Sequence, residues 1–137
     1  ALAAAIATMQ VYVEEPVVEQ LERQGRRLAA GVREAVAAHG LEGHVGLLGR
    51  GCNLVYYTRD AERKDSQAFR ALMLQELIRR GVLAPSLVVS YAHSDEDIER
   101  TVAAFDGALG VYKQALEQGV ETQLVGRAVK PVYRKYN

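Results

Sequence analysis

The residues of this chain that could do chemistry gather at Tyr91-Ala92-His93-Ser94, followed at once by Asp95, Glu96 and Asp97. An imidazole beside carboxylates can move protons near neutral pH. The acids have a second use, however. Ser94 stands just before an apolar stripe at helical spacing, Asp97 lies three residues further on, and carboxylates favour the positive end of a helix dipole. The spacing therefore predicts a capping box at Ser94 and Asp97 and gives the acid cluster to a helix start. His93 falls where a strand hands over to a helix, a common place for ligand contacts. Nucleophilic catalysis would require His93 beside a serine or beside Cys52, with a third group orienting the base, and no local motif supplies that arrangement. His39, His44 and His93 have no spacing familiar from metal sites.

Two further patterns have simple structural readings. Gly49-Arg50-Gly51 resembles half of a phosphate loop but lacks a third glycine and a following Lys-Ser, so a hairpin or bulge is expected there. Arg127, Lys130, Arg134 and Lys135, interleaved with Tyr133 and Tyr136, could hold an anion, yet so few basic residues make a poor nucleic-acid footprint.

The elements that must position these residues follow from the whole chain. Its 137 residues fit one ordinary domain, and 17 basic against 17 acidic side chains leave no net field to recruit nucleic acid or an anionic membrane. One unpaired cysteine suits a reducing compartment, and no apolar run approaches the roughly 20 residues that cross a bilayer. A cytoplasmic protein with no membrane and no nucleic-acid partner is expected.

Residues 1–13 should form a helix whose apolar side chains occupy nearly the whole circumference, which normally means enclosure by protein. Pro16 separates it from a second helix carrying Val17, Val18, Leu21, Leu28, Val32, Ala35, Val36 and His39, ended by a left-handed cap at Gly40. HVGLLGR and NLVYYT read as adjacent strands, and the charged stretch from Arg59 to Asp65 as a solvated loop. A third helix from Ser66 should turn Phe69, Leu72, Met73, Leu77 and Ile78 inward, and Leu87 to Tyr91 should form a third strand. Ile98, Val102, Phe105, Leu109, Tyr112 and Leu116 step by four, three, four, three and four residues, which makes the last helix the clearest element. After it VGRAVKPVYRKYN loses the period. This order predicts an α/β (α+β two-layer) fold, with a small, mostly antiparallel sheet and helices on one face. The divisions are a leading helix at 1–13, a domain at 14–119 and a basic tail at 120–137.

The stretch from Gly81 also carries a resemblance. Gly81-Val82-Leu83-Ala84-Pro85-Ser86, followed by Val89-Ser90-Tyr91-Ala92-His93-Ser94-Asp95-Glu96-Asp97-Ile98-Glu99-Arg100-Thr101, resembles the C-terminal segment of glutamate-1-semialdehyde 2,1-aminomutase and its relatives among class III pyridoxal-phosphate aminotransferases. That family runs G(V/I)xxAPS, then a strand ending SxAHT, then xEDIxxT. Ala1 to Met9 looks like the alanine-rich helix leaving the family's large domain, and the similarity extends over about residues 1–116.

The resemblance implies a small domain with a three-stranded antiparallel sheet that closes over an active site built mainly by a larger domain. The Schiff-base lysine, the aspartate under the pyridine nitrogen and the main phosphate contacts would all lie upstream. No catalytic, cofactor-binding or metal residue is then expected here, and Ser90, Ala92, His93 and Ser94 would shape the substrate site. Pyridoxal 5'-phosphate would belong to a full-length homodimeric enzyme that transfers or shifts an amino group, and the segment alone would be inactive. Many class III aminotransferases carry a carboxylate-gripping arginine where Ser90 stands; the aminomutase branch also has serine there, which favours that branch. Between Ser86 and Val89, however, the chain is shorter than the aminomutases and lacks their loop glutamate, so a transaminase with another substrate stays open. Without its large domain the leading helix would drive self-association through residues 1–13. The rival reading is a stand-alone non-enzymatic α/β module that binds a partner through that helix and the basic tail; a small Cys52-His93 enzyme is a third.

Overall fold

The computed structural model describes residues 1–128 and residue 130, so Tyr133, Arg134, Lys135 and Tyr136 of the basic tail lie outside the described residues. Helix α1 (Leu2–Glu14) stops where Glu15 turns extended, as a residue before proline must, and α2 (Val17–His39) starts after Pro16. Gly40 closes α2 in the left-handed conformation at φ 68°, a geometry that costs glycine nothing. Strands β1 (Val45–Arg50) and β2 (Asn53–Thr58) form a hairpin, α3 (Gln67–Arg79) follows, and β3 (Leu87–Val88) leads to α4 (Asp95–Gln118) and the single turn η1 (Val120–Thr122).

The sheet is antiparallel in the order β1-β2-β3. Period-two alternation on the central strand sends Leu54, Tyr56 and Thr58 inward, where they meet Phe69, Leu72 and Met73 of α3 and Phe105, Leu109 and Tyr112 of α4 in one core. The opposite sheet face is bare: Leu48 pairs with Val55 across β1 and β2, Val88 sits beside Asn53, and all three apolar side chains are exposed. The expected two-layer arrangement is therefore present, with α2, α3 and α4 on one face.

Polar groups inside this core are tied to backbone. The buried Tyr112 hydroxyl donates to the Arg59 carbonyl at 2.6 Å and accepts from the Arg59 amide at 2.9 Å, anchoring the end of β2 to α4. Burial pushes that phenol's pKa up, so it remains a neutral donor. The Tyr56 hydroxyl donates to the Ala84 carbonyl at 2.9 Å, and its ring stands edge-on to Phe105 with centroids 5.5 Å apart. Arg70 lies over the other side of that ring and donates to the carbonyls of Tyr56 and Pro85. Stretch 59–65 is a compact loop: Arg59 bridges to Asp65, and the Asp60 carboxylate accepts from the amides of Glu62 and Lys64.

Two expectations need correction. Val18 and Ile78 belong to no buried stripe; each is 56% exposed because it lies at the rim of its helix's inward arc. The third strand is two residues long, since beyond Val89 the backbone leaves the sheet and the Ser90 amide donates to the His93 ring instead. Helix α1 is apolar around its circumference and uncovered, as expected of a leading helix without its enclosing protein: it buries nothing, and Leu2, Ile6, Met9 and Val13 all face solvent.

Two features give stability predictions. A Cβ on Gly25 of α2 would run into the carbonyl of Gly51, so the β1–β2 turn seats on bare backbone. Gly25→Ala is expected to destabilise by about 1–3 kcal/mol, read as a lowered midpoint in urea with unchanged slope. Glu76, 3% exposed, has its carboxylate held by Arg79 at 2.7 Å and Arg80 at 2.6 Å. Burial alone would raise its pKa, but the hydrogen bonds from Arg80 and Gln75 and the charges of Arg79 and Arg80 win and hold it below the ordinary value. A lowered folded-state pKa contributes stability that is complete above the ordinary glutamate range and disappears as pH falls through the lowered value. Glu76→Gln should therefore cost about 1–2 kcal/mol at pH 7, and its difference from the unaltered chain should shrink on acidification through that window.

Candidate functional site

The chain between β3 and α4 is the candidate site. Val89 is still inward, its amide donating to the Cys52 carbonyl at 3.0 Å, and then the backbone turns. His93 builds the turn. Its amide donates to the Ser90 carbonyl at 3.2 Å, while its Nδ1 accepts from the Ser90 amide at 2.8 Å and lies 3.0 Å from Ser90 Oγ. With Nδ1 accepting, this bond calls for the tautomer that carries its proton on Nε2. Ser90, Tyr91, Ala92 and Ser94 are exposed around it. The structure thus brings Ser90, Ala92, His93 and Ser94 together in a single tight turn.

The acids that follow are structural, as their spacing predicts. Ser94 Oγ accepts from the Asp97 amide at 3.2 Å, and Asp97 Oδ2 accepts from the Ser94 amide at 2.9 Å, a reciprocal capping box. The Ser94 hydroxyl also donates to Asp97, and these bonds lower the carboxyl's pKa. Asp95 is held from outside its own helix. Gln24 of α2 donates to Asp95 Oδ1 at 2.7 Å and to the His93 carbonyl at 3.2 Å, and Arg27 pairs with Asp95 Oδ2 at 2.6 Å. Gln24 first and Arg27 next depress the Asp95 pKa, so it stays an anion and is no proton donor near neutrality.

Gln24 is the residue that sequence reasoning passed over. It is 0% exposed, and its Oε1 has no hydrogen-bond partner among the described residues. The signal was available: Val17, Leu21, Gln24, Leu28 and Val32 step by four, three, four and four, so Gln24 occupies an inward position of α2.

The other candidates lie apart. His39 Nε2 meets Asp106 at 2.9 Å, and His44 Nδ1 meets the Asp60 carbonyl at 2.9 Å. Among the described residues no three His, Cys, Asp or Glu side chains come together as a metal set. Nor does any hydrogen bond among them join Cys52 to His93, whose Nδ1 is already engaged by Ser90. Arg50 faces Asn53 at the end of the β1–β2 hairpin, so the glycines around it make a turn against α2. Arg127 and Lys130 are exposed.

Beside the turn, α1, α2 and the end of the β3 segment enclose an open cleft of about 390 Å³, with Thr8, Tyr12, Leu21, Ser90 and Tyr91 in its lining. Tyr91 donates its hydroxyl to Glu15 at 3.3 Å across the mouth of that cleft. A cofactor aldehyde needs a lysine that can lose its proton in a desolvated pocket. Lys64, Lys113 and Lys130 are all exposed, so these residues do not form such a site by themselves. Among the described residues no helix is long and apolar enough to cross a membrane.

Comparison with known proteins gives a match in sequence and a match in structure. No family model matches the chain. It is 32% identical over 123 residues to glutamate-1-semialdehyde 2,1-aminomutase 1 of Bacillus cereus (strain G9842), a match covering 82% of this chain and 28% of that protein. Glutamate-1-semialdehyde 2,1-aminomutase 2 of Bacillus thuringiensis (strain Al Hakam) matches with the same figures. Among solved structures, the PLP internal aldimine form of the Sphingopyxis sp. MTA144 FumI protein superposes with a TM-score of 0.71 at 26% identity, over 85% of this chain and 28% of that one. The chain therefore spans just over a quarter of the length of the relatives it matches, and it is homologous to that one part of glutamate-1-semialdehyde 2,1-aminomutases.

Proposed function

We propose that this chain is the C-terminal small domain of a class III pyridoxal-phosphate-dependent aminotransferase or aminomutase, a cytoplasmic homodimer whose larger domain carries the cofactor, its lysine and its phosphate contacts. The observation that carries this reading is the double match: one stretch of the chain aligns in sequence with aminomutases and in structure with a protein solved as a PLP internal aldimine. When bound, that cofactor supplies an electron sink for carbon–nitrogen chemistry. The residues of this chain supply shape. His93 holds the Ser90 amide and Ser94 starts α4, so the exposed Ser90, Ala92 and Ser94 and the half-buried His93 stand as a rim where substrate would pass. Ser90 carries no charge, so a substrate carboxylate would have to be gripped by a cation outside this turn.

The bare surfaces support the same reading. Helix α1 presents Leu2, Ile6, Met9 and Val13, and the free sheet face presents Leu48, Val55 and Val88, which together make apolar surface suited to a large partner domain. In isolation the same surface on α1 drives chain against chain.

Two outcomes test the proposal. The 137-residue chain should sediment as dimers or larger species at high concentration, and Ile6→Asp with Met9→Asp should return it to monomer while leaving the Tm of the dilute, monomeric chain unmoved, since α1 buries nothing within one chain. In the whole enzyme His93→Ala should raise KM for the amino substrate several-fold while leaving the aldimine absorption band intact. Loss of cofactor from a folded His93→Ala enzyme would contradict the assigned role.

A further inference from the structure

Tight turns of four residues owe their shape to local bonds but their position to whatever holds them from outside. The Ser90–Ser94 turn has its local bonds in His93 and the Ser94 capping box. Neither reaches the body of the domain. Tyr91 reaches Glu15 at 3.3 Å through an exposed bond, and the buried tie comes from α2, where the side-chain amide of Gln24 donates to the His93 carbonyl and to Asp95. Both partners are acceptors, which fixes the amide nitrogen toward the turn. Arg27 and Arg23 reinforce the same carboxylate at 2.6 and 3.8 Å, but both are solvent-accessible and screened, whereas Gln24 is fully enclosed. Glutamine at this depth gains nothing for packing over an apolar residue of equal length, because its Oε1 goes unpartnered among the described residues. Its use lies in its two donors.

We infer that Gln24 is a positioning residue: its amide sets where the Ser90–Ser94 turn stands relative to α2, and through the turn it tunes how substrate meets the rim. The positioning stands on the hydrogen bonds alone; the consequence for substrate rests on the reading that the turn borders the active site. Sequence similarity highlights the turn but not its anchor, which lies 69 residues earlier in the chain.

Gln24→Met keeps the length and the packing and removes both donors. Amide hydrogen exchange in the 137-residue chain should then accelerate about tenfold at Ser90 and His93, while Leu109 and Tyr112 of α4 stay within about twofold. Asp95→Ala, which leaves the interior of α2 untouched, should loosen the same amides to a smaller degree. Unchanged exchange at Ser90 and His93 in both variants, or a uniform rise across α4 in both, would overturn the inference and leave Gln24 a packing residue. In the whole enzyme Gln24→Met should raise KM with kcat preserved. A loosened turn with KM unchanged would uphold Gln24 as the anchor and remove the turn from the active site, so the two claims fail separately.

Discussion

The structure depends on the burial of Tyr56 in the middle of the central strand. Its ring meets Phe105 of α4 on an edge and the Arg70 guanidinium of α3, and its hydroxyl bonds the Ala84 carbonyl. Strand, two helices and the loop leading to β3 are thereby fixed to one side chain. Burial raises the phenol's pKa, with Arg70 opposing, so the hydroxyl keeps the proton it donates. Arg70 extends the same clamp, spending its guanidinium on the carbonyls of Tyr56 and Pro85. Because the 84–86 segment is held at both ends of this clamp, β3 can be only two residues long and still begin in register, with Leu87 opposite Leu54.

A recurring device then fixes the segments that have no regular hydrogen bonding of their own. A long side chain on a helix reaches out and binds backbone groups of a neighbouring loop. Gln24 does so for the 90–94 turn, Gln75 for residues 123 and 125, and Tyr112 for Arg59. Where the backbone group is part-buried, as at His93, Gln123 and Arg59, the bond replaces a water partner that burial removes, so the cost of leaving that group unpaired is avoided without lengthening a strand or helix. The turn at the candidate site is one instance of how the whole domain secures its irregular backbone.

This device also explains which parts were legible in the sequence. Helix α4 was plain because its stripe from Ile98 to Leu116 answers to helical period alone, and its start was plain because a capping box is local. Gly40 as a left-handed cap and the β1–β2 hairpin are equally local. The end of β3 was not, since it depends on an imidazole three residues ahead competing for the Ser90 amide. Gln24 was harder still: flanked by Arg23, Arg26 and Arg27 it resembles a solvated face, and only its place between Leu21 and Leu28 marks it as inward. Val18 and Ile78 erred the other way, apolar residues that a rim position leaves in solvent.

The distribution of bare surface carries the last step. A domain that buries Tyr56, Phe105, Leu109 and Tyr112 completely has enough core to hold its shape, yet it leaves α1 without one buried residue and one face of its sheet uncovered. Those two surfaces are apolar, whereas the outward side of α2 carries the charges of Arg23, Arg26, Arg33 and Glu34. One side of the domain is thus charged and another apolar. The Ser90–Ser94 turn lies against the cleft that α1 helps to enclose, so a partner seated on α1 would also meet the rim that His93 shapes and Gln24 anchors. On the proposed reading, fixing that turn to the core means that it would reach a larger domain already formed.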